Sequence, residues 1–127
     1  MSQSSRTKLN IGRLTANTLV TSNVELTTAT VGQTTNATTA VNLPASCGII
    51  STRTFTTGTN GSTSFAINHD DIAVGKIIFA QICSYGGNGN PSVRVSGVNT
   101  TTANLVISNS NIDSPLNATI GIMYTIL

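Results

Sequence analysis

The chain has 127 residues, of which 8% are charged and 4% are aromatic, and its formal net charge at pH 7 is +2. This length fits one domain, or one domain with an arm, and the charged fraction lies far below the roughly 25% usual for soluble proteins. The sequence lacks the basic stripe with interspersed aromatic residues that would indicate nucleic-acid binding. No apolar run approaches the roughly 20 residues of a membrane span. Thr, Ser and Asn fill roughly two-fifths of the chain, which predicts strands and turns throughout.

Residues 1–40 are predicted to form an extended N-terminal arm. Leu14–Thr35 alternates Leu and Val with Thr and Asn, and it contains one Gly and no Pro. Fully extended, it would reach about 70 Å, several times the radius of gyration of about 14 Å for a compact chain of this size. An isolated strand leaves its backbone donors and acceptors unpaired, so we expect this segment to pair with a neighbouring chain. Its predicted anchors are Ile11, Leu14, Leu19, Val24 and Leu26.

The basic residues of the arm suggest a second kind of contact. Arg6, Lys8 and Arg13 hold half of the basic residues, and no acidic residue precedes Glu25. Residues 14–127 carry three basic and four acidic residues, so the arm is basic and the body is not. A basic arm favours docking on an acidic surface, whereas a solvated terminus would account for the same charges. The residues alone leave both interpretations open.

Residues 41–127 are predicted to form a β-sandwich of short strands separated by turn-rich loops. The predicted strands are Gly48–Thr56, Thr63–Asn68, Lys76–Tyr85, Ser92–Val98, Asn104–Ser108 and Asn117–Leu127. In Lys76–Tyr85, Ile78, Ala80 and Ile82 face one way while Ile77, Phe79 and Cys83 face the other. Both faces are apolar, so we expect the opposing sheet to cover one face and a neighbouring chain to cover the other. A sandwich of this size is marginally stable alone, which favours an oligomer.

Few residues of the body are candidates for chemistry. His69 is the single histidine, in the sequence NHDD at 68–71. An adjacent His and Asp cannot orient each other as a catalytic base and its partner, and the motif lacks the further ligands of a calcium or zinc site. A helical turn at His69–Ala73, capped by Asn68 or Asp70, explains these residues without any ligand. We therefore expect no catalytic residue, metal or cofactor, and no enzyme.

Two cysteines are present, Cys47 and Cys83. The N-terminus lacks the apolar core of a signal peptide, so we expect the protein to fold in a cytoplasm, where thiols stay reduced. Both cysteines are accordingly expected to be buried thiols that form no disulfide.

The stretch YGGNGNP, Tyr85 to Pro91, superficially resembles a phosphate-binding loop. A strand follows its glycines where such a loop would need a helix, so we interpret it as a flexible hairpin tip. Exposed loops at the end of a rigid sandwich also carry recognition. In that interpretation Tyr85, Asn88 and Asn90 would contact a ligand, and the loop composition does not separate the two roles.

Three motifs in residues 40–127 resemble a β-sandwich module of virion surface proteins from phages and algal viruses. These motifs are PASCGII at 44–50, YGGNGNPSVRV at 85–95 and LNATIGI at 116–122. The preceding LTANTLVTSNVELTTATV is similar to segments that lead into the trimeric knobs of phage fibres and capsid decorations. Unlike long fibres, this chain has one such segment without repeats, which argues against a long shaft.

The resemblance implies an all-β, jelly-roll-like antiparallel sandwich behind an extended arm, assembled as a homotrimer on the capsid exterior. Its expected function is that of a decoration or cement protein whose arm binds the major capsid protein and stabilises the shell. The alternative is a fibre or tail knob that binds a host receptor or surface glycan through its distal loops. We expect neither nucleic acid nor membrane as a partner.

Overall fold

The computed structural model of the protein describes residues 29–127. Its strands are β1 (Ala29–Gly32), β2 (Val41–Asn42), β3 (Cys47–Ser51), β4 (Ser62–Asn68), β5 (Ile78–Tyr85), β6 (Pro91–Ser96), β7 (Thr102–Asn109) and β8 (Ile120–Ile126). No helix occurs in the part of the chain that the structure describes, and the prediction of an all-β protein is confirmed. The predicted arm contacts lie outside the described residues: Arg6, Lys8, Ile11, Arg13, Leu14, Leu19, Val24 and Leu26.

The eight strands form two sheets of four. Sheet A has the order β1-β3-β8-β5, and sheet B has the order β2-β4-β7-β6. The prediction of a purely antiparallel sandwich is wrong, because β1 runs parallel to β3 and β2 runs parallel to β4. Each parallel pair is joined through a strand of the opposite sheet, which provides the long crossover that parallel strands require.

The core lies between the two sheets and is built from alternate residues of their strands. Its largest fully buried side chains are aliphatic, with Phe55 as the exception among the apolar ones. Both sheets contribute, since Ile50 and Ile122 come from sheet A while Ile67 and Leu105 come from sheet B. The fold is therefore sandwich-like, with alternate residues of its strands pointing inward.

All six predicted strands are present, but four are shorter than expected, and two of these are much shorter. The first ends at Ser51 and the last begins at Ile120. Beyond Ser51 the chain still forms hydrogen bonds to residues at and just before the start of β8. The Thr52 hydroxyl accepts a hydrogen bond from the Ile120 amide at 2.8 Å, and the Phe55 amide donates to the Ala118 carbonyl at 3.0 Å. Side-chain bonding at Thr52 thus ends the regular ladder.

Residues 29–40, which the sequence assigned to the arm, belong to the sandwich of their own chain. β1 pairs with β3 along its whole length, and the buried side chain of Gln33 fixes the loop that follows. The side-chain nitrogen Nε2 of Gln33 donates hydrogen bonds to the carbonyls of Ala37 and Thr39, at 3.1 and 3.0 Å. Its oxygen accepts the Arg53 amide at 3.0 Å. The C-terminal part of Leu14–Thr35 thus pairs within the chain, where we had expected an intersubunit strand.

Asn109 joins three loops at one end of the sandwich. Its side chain is 1% exposed, and its amide nitrogen donates to the carbonyls of Gly58 at 3.2 Å and Ser114 at 2.8 Å. Its oxygen accepts the amides of Asn90 at 3.0 Å and Asn111 at 3.1 Å. One buried side chain therefore satisfies backbone groups from the β3–β4, β5–β6 and β7–β8 connections.

We predict that Asn109→Ala lowers the free energy of unfolding by about 2 to 4 kcal/mol, because buried backbone groups lose their partners. Asn104→Ala is the matched control on the same strand, where the side chain is exposed, and should change it by no more than about 0.5 kcal/mol. Urea denaturation of both variants measures the difference. Equal losses would show that Asn109 does not hold the loops together.

Candidate functional site

Large exposed apolar side chains concentrate on the outer surface of sheet A. Phe79 is 62% exposed and Met123 is 44% exposed, and Ile77 and Leu127 continue the same surface at its end, where the Leu127 amide donates to the Ile77 carbonyl at 2.8 Å. We call this surface the apolar face. Its residues are Cys47, Ile49, Ile77, Phe79, Met123, Thr125 and Leu127.

Strand register places these side chains in rows across the sheet. Thr125 of β8 lies between Cys47 of β3 and Phe79 of β5. In the next row Met123 lies between Ile49 and Gln81, and Thr30 of β1 extends that row to the sheet edge. Directly opposed side chains lie about 5 Å apart, so the rows form a continuous surface.

The sequence predicts this division of β5 correctly. Ile78, Ala80 and Ile82 pack against the core, whereas Phe79 and Cys83 are exposed on the opposite side. Ile49 and Met123 are not among the residues predicted to lie on this side, although the same alternation in CGIIS and GIMYT places them outside the core.

The apolar face carries no charged residue and contains a groove of about 510 Å³. Gln81 is the polar side chain along its β5 side. The outer surface of sheet B differs, because its central rows are mostly polar, with Ser62, Ser64, Asn104, Ser108 and Arg94 among their residues. There the hydroxyls of Ser62 and Ser108 lie 3.0 Å apart in a hydrogen bond. Only one of the two outer surfaces is therefore suited to a dry interface.

The two cysteines differ in their surroundings. Cys47 is half-buried in the groove, whereas Cys83 is exposed, so the prediction of two buried thiols is wrong for Cys83. β8 lies between their strands, which separates them by about 10 Å across the sheet, beyond disulfide reach. Cys83 is exposed because β5 has a bulge between Ile82 and Ser84 beside Gly121, which offers no side chain to cover the thiol.

Tyr124 lies directly beneath the apolar face. Its ring is buried in the core, and its hydroxyl donates to the Ala45 carbonyl at 2.9 Å. Burial raises the pKa of Tyr124 above its ordinary value of 10.0, and the electrostatic effect of the neighbouring Cys47 raises this pKa further, against a smaller lowering by the hydrogen bond to Ala45. The phenol therefore stays neutral in the folded protein at a pH where it ionises in the unfolded chain.

The turn at His69 is a structural device in a second, polar groove of about 750 Å³. The predicted helical turn is absent, and two successive turns take its place. One is closed by a hydrogen bond from the Ile72 amide to the His69 carbonyl, and the other by a hydrogen bond from the Lys76 amide to the Ala73 carbonyl. His69 Nδ1 accepts the Asp71 amide at 3.0 Å, so the imidazole performs the capping expected of Asn68 or Asp70. A catalytic histidine would instead donate Nδ1–H to a carboxylate.

The loop at residues 85–91 connects β5 of sheet A to β6 of sheet B, so its interpretation as a hairpin tip is wrong. The Tyr85 hydroxyl donates to the Asn88 carbonyl and accepts the Asn117 amide at 3.1 Å. The Asn88 amide donates to the Asn117 side chain at 2.6 Å, and the Asn90 side chain donates to Ser110 at 2.8 Å. The structure thus brings Tyr85, Asn88 and Asn90 together, with Tyr85 and Asn90 held by structural bonds.

Comparisons with known proteins give no identification: no family model, characterised protein or solved structure matches the chain. Within residues 29–127, no group of three or more His, Cys, Asp or Glu side chains has the arrangement of a metal site. The same residues include no helix that is long and apolar enough to cross a membrane. The apolar face is therefore the surface feature of the described residues that most needs a functional explanation.

We predict that the free energy of unfolding falls as the pH rises above about 10, because the unfolded chain then loses the Tyr124 proton that the folded protein retains. Tyr124→Phe should show a smaller fall over the same range, starting from a stability lower by about 1 kcal/mol for the lost hydrogen bond. Tyr85→Phe, which keeps Tyr124, should retain the fall due to Tyr124. Denaturant unfolding at several pH values in this range measures the free energy of unfolding. An identical pH dependence of this free energy in wild type and Tyr124→Phe would contradict the assignment of the fall to Tyr124.

Proposed function

We propose that the protein is a structural component of a virion surface, a homotrimeric decoration or cement protein on the capsid exterior. One observation carries the proposal: a small sandwich with few charges exposes a contiguous apolar face on one sheet and a polar surface on the other. Surfaces of this kind mark association sites. A protein that works by multi-copy association has a use for such a face.

The number of strands and sheets supports the jelly-roll-like part of the proposal, whereas the parallel pairs β1–β3 and β2–β4 depart from an antiparallel jelly roll. The sandwich holds eight strands in two sheets, and consecutive strands alternate between the sheets except for the β6–β7 pair. Jelly rolls of this size recur in capsid proteins. The described chain starts at Ala29, at the Cys47 end of sheet A, and the 85–91 loop lies at the opposite end of that sheet.

In the proposed mechanism, the knobs associate through the apolar face and the arms reach the major capsid protein. Arg6, Lys8 and Arg13 would pair with acidic groups of the shell, and the apolar arm residues would add contact area across subunit junctions. Each bound trimer would thereby connect neighbouring capsomers and resist the pressure of the packaged genome.

We predict that the full-length protein has a solution mass three times its 13.1 kDa chain mass. Phe79→Asp/Met123→Asp should shift the mass to that of the monomer, because burying two added carboxylates is unfavourable. Ile112→Asp is the matched control, since Ile112 is 71% exposed in the β7–β8 connection, away from the apolar face. Light scattering of the three proteins measures the effect.

A wild-type protein that remains a monomer at every concentration would contradict association through the face. Equal dissociation by the Ile112 variant would show that the effect is not specific to this surface. Binding to empty capsids with and without Arg6, Lys8 and Arg13 replaced by Ser then tests the attachment role, which predicts weaker binding of the variant at low salt and a smaller loss of its binding than of wild-type binding as the salt concentration rises.

The alternative function, a fibre or tail knob that binds a host receptor or glycan, draws support from the loop cluster. Tyr85, Asn88 and Asn90 lie at the end opposite to Ala29, and their bonds to Asn117 and Ser110 make the cluster a preformed surface. Asn88→Ala removes an exposed side chain without removing its backbone bonds. Loss of host-cell adsorption with unchanged capsid binding would favour the knob, whereas unchanged adsorption would favour the decoration protein.

A further inference from the structure

We propose that residues 14–26 of a second copy of this chain lie across the apolar face and form its cover in the assembly. This inference rests on the proposed homo-oligomer and names the segment that makes the contact. Three features support this cover: the sequence pattern of the segment, the orientation of β1 at Ala29, and the fit between the segment and the apolar face.

The segment has the period-two pattern of a strand with one apolar side. Its even-numbered residues are Leu14, Ala16, Thr18, Val20, Ser22, Val24 and Leu26. Its odd-numbered residues are Thr15, Asn17, Leu19, Thr21, Asn23 and Glu25. Leu19 is the one large apolar residue among the odd positions. An extended segment of this kind presents an apolar side that must be buried.

β1 fixes the side of the sheet on which the even-numbered residues start. In β1, Ala29 and Val31 point inward and Val31 packs on the core, while Thr30 and Gly32 are exposed on the outer side. Because successive side chains of a strand alternate, the even-numbered residues of a chain that continues this strand lie on the outer side. That is the side of sheet A that carries Ile49, Met123 and Phe79.

The sequence between the segment and β1 favours an extended path over a reversal. Val24–Val31 contains no Gly, Pro, Asn or Asp and has three Thr residues, which favour strands over tight turns. Since Ala29 pairs with Gly48 near the end of the sheet, an extended chain leaves its own sheet within a few residues. The five residues 24–28 then reach about 17 Å beyond β1, away from the face of the same chain. The segment therefore meets a neighbouring copy.

The apolar face suits this occupant. It holds no charged side chain, and Glu25 lies among the odd-numbered residues, so docking by the even-numbered side buries no charge. Sheet A is about 14 Å wide from β1 to β5, and thirteen extended residues span about 43 Å, enough to cross the groove and continue past both edges. The Thr and Val side chains match a groove lined by Ile49, Phe79 and Met123.

Cys47 and Cys83 give a test of the occupant in the full-length chain, because Cys47 lies in the groove and Cys83 is exposed outside it. Cys83→Ser leaves only Cys47 to react with a thiol reagent, and Cys47→Ser leaves only Cys83. In the assembled protein Cys47 should label at least about tenfold more slowly than Cys83, since a covered site reacts only when it opens.

Val24→Asp/Leu26→Asp, introduced into the Cys83→Ser protein, should restore fast labelling of Cys47. Thr21→Asp/Asn23→Asp adds the same charge on the opposite side of the segment and should leave labelling slow. Circular dichroism checks that each variant keeps its sheets. Equal effects of the two pairs of substitutions would overturn the assignment of the even-numbered side.

Labelling is compared with the solution mass at each protein concentration. Slow labelling that turns fast as dilution yields the monomer supports cover by a second copy. Slow labelling of Cys47 in the monomer would overturn this inference, because the cover would belong to the same chain. Fast labelling in a stable oligomer would overturn the inference and keep the proposed association, whereas fast labelling of a permanent monomer would overturn both.

Discussion

The pairing of the last strand in the centre of sheet A is the constraint on which the rest of the structure depends. β8 bonds to β3 on one side and to β5 on the other, so neither neighbour has a complete partner until Ile120–Ile126 is in place. The same strand supplies Ile120, Ile122 and Tyr124 to the core and Met123 to the apolar face. One strand therefore joins the interior of the sandwich to its apolar face.

The sequence predicts the parts of this fold that depend on local pattern. Alternation identifies six of the eight strands and both faces of β5, because burial on one side imposes a period of two. It misses β2, which has two residues, and β1, whose place is fixed by pairing with β3 and by Gln33. Such placement depends on long-range partners, which a local pattern does not contain. The parallel pairs escape prediction for the same reason.

The candidate sites show the same limit. Residues singled out for their chemistry, His69 and Tyr85, form bonds that shape turns and loops. The His69 imidazole bonds the backbone amide of Asp71 two residues along the chain, and the Tyr85 hydroxyl bonds that of the distant Asn117. The apolar face was predictable in part, through Ile77 and Phe79. Its extension over β3 and β8 was not, since Ile49 and Met123 become neighbours only through strand order. Surface function in a sheet protein therefore depends on register as much as on composition.

The absence of charge on the apolar face has a thermodynamic consequence. Contacts between charged surfaces weaken as salt screens them, whereas burial of apolar area is strengthened by sulfate and weakens on cooling. An assembly held through Ile49, Phe79 and Met123 would therefore tolerate wide changes in sodium chloride and loosen near the freezing point of water. For a particle that carries such subunits, storage in the cold would therefore release more of them than storage at high salt concentration.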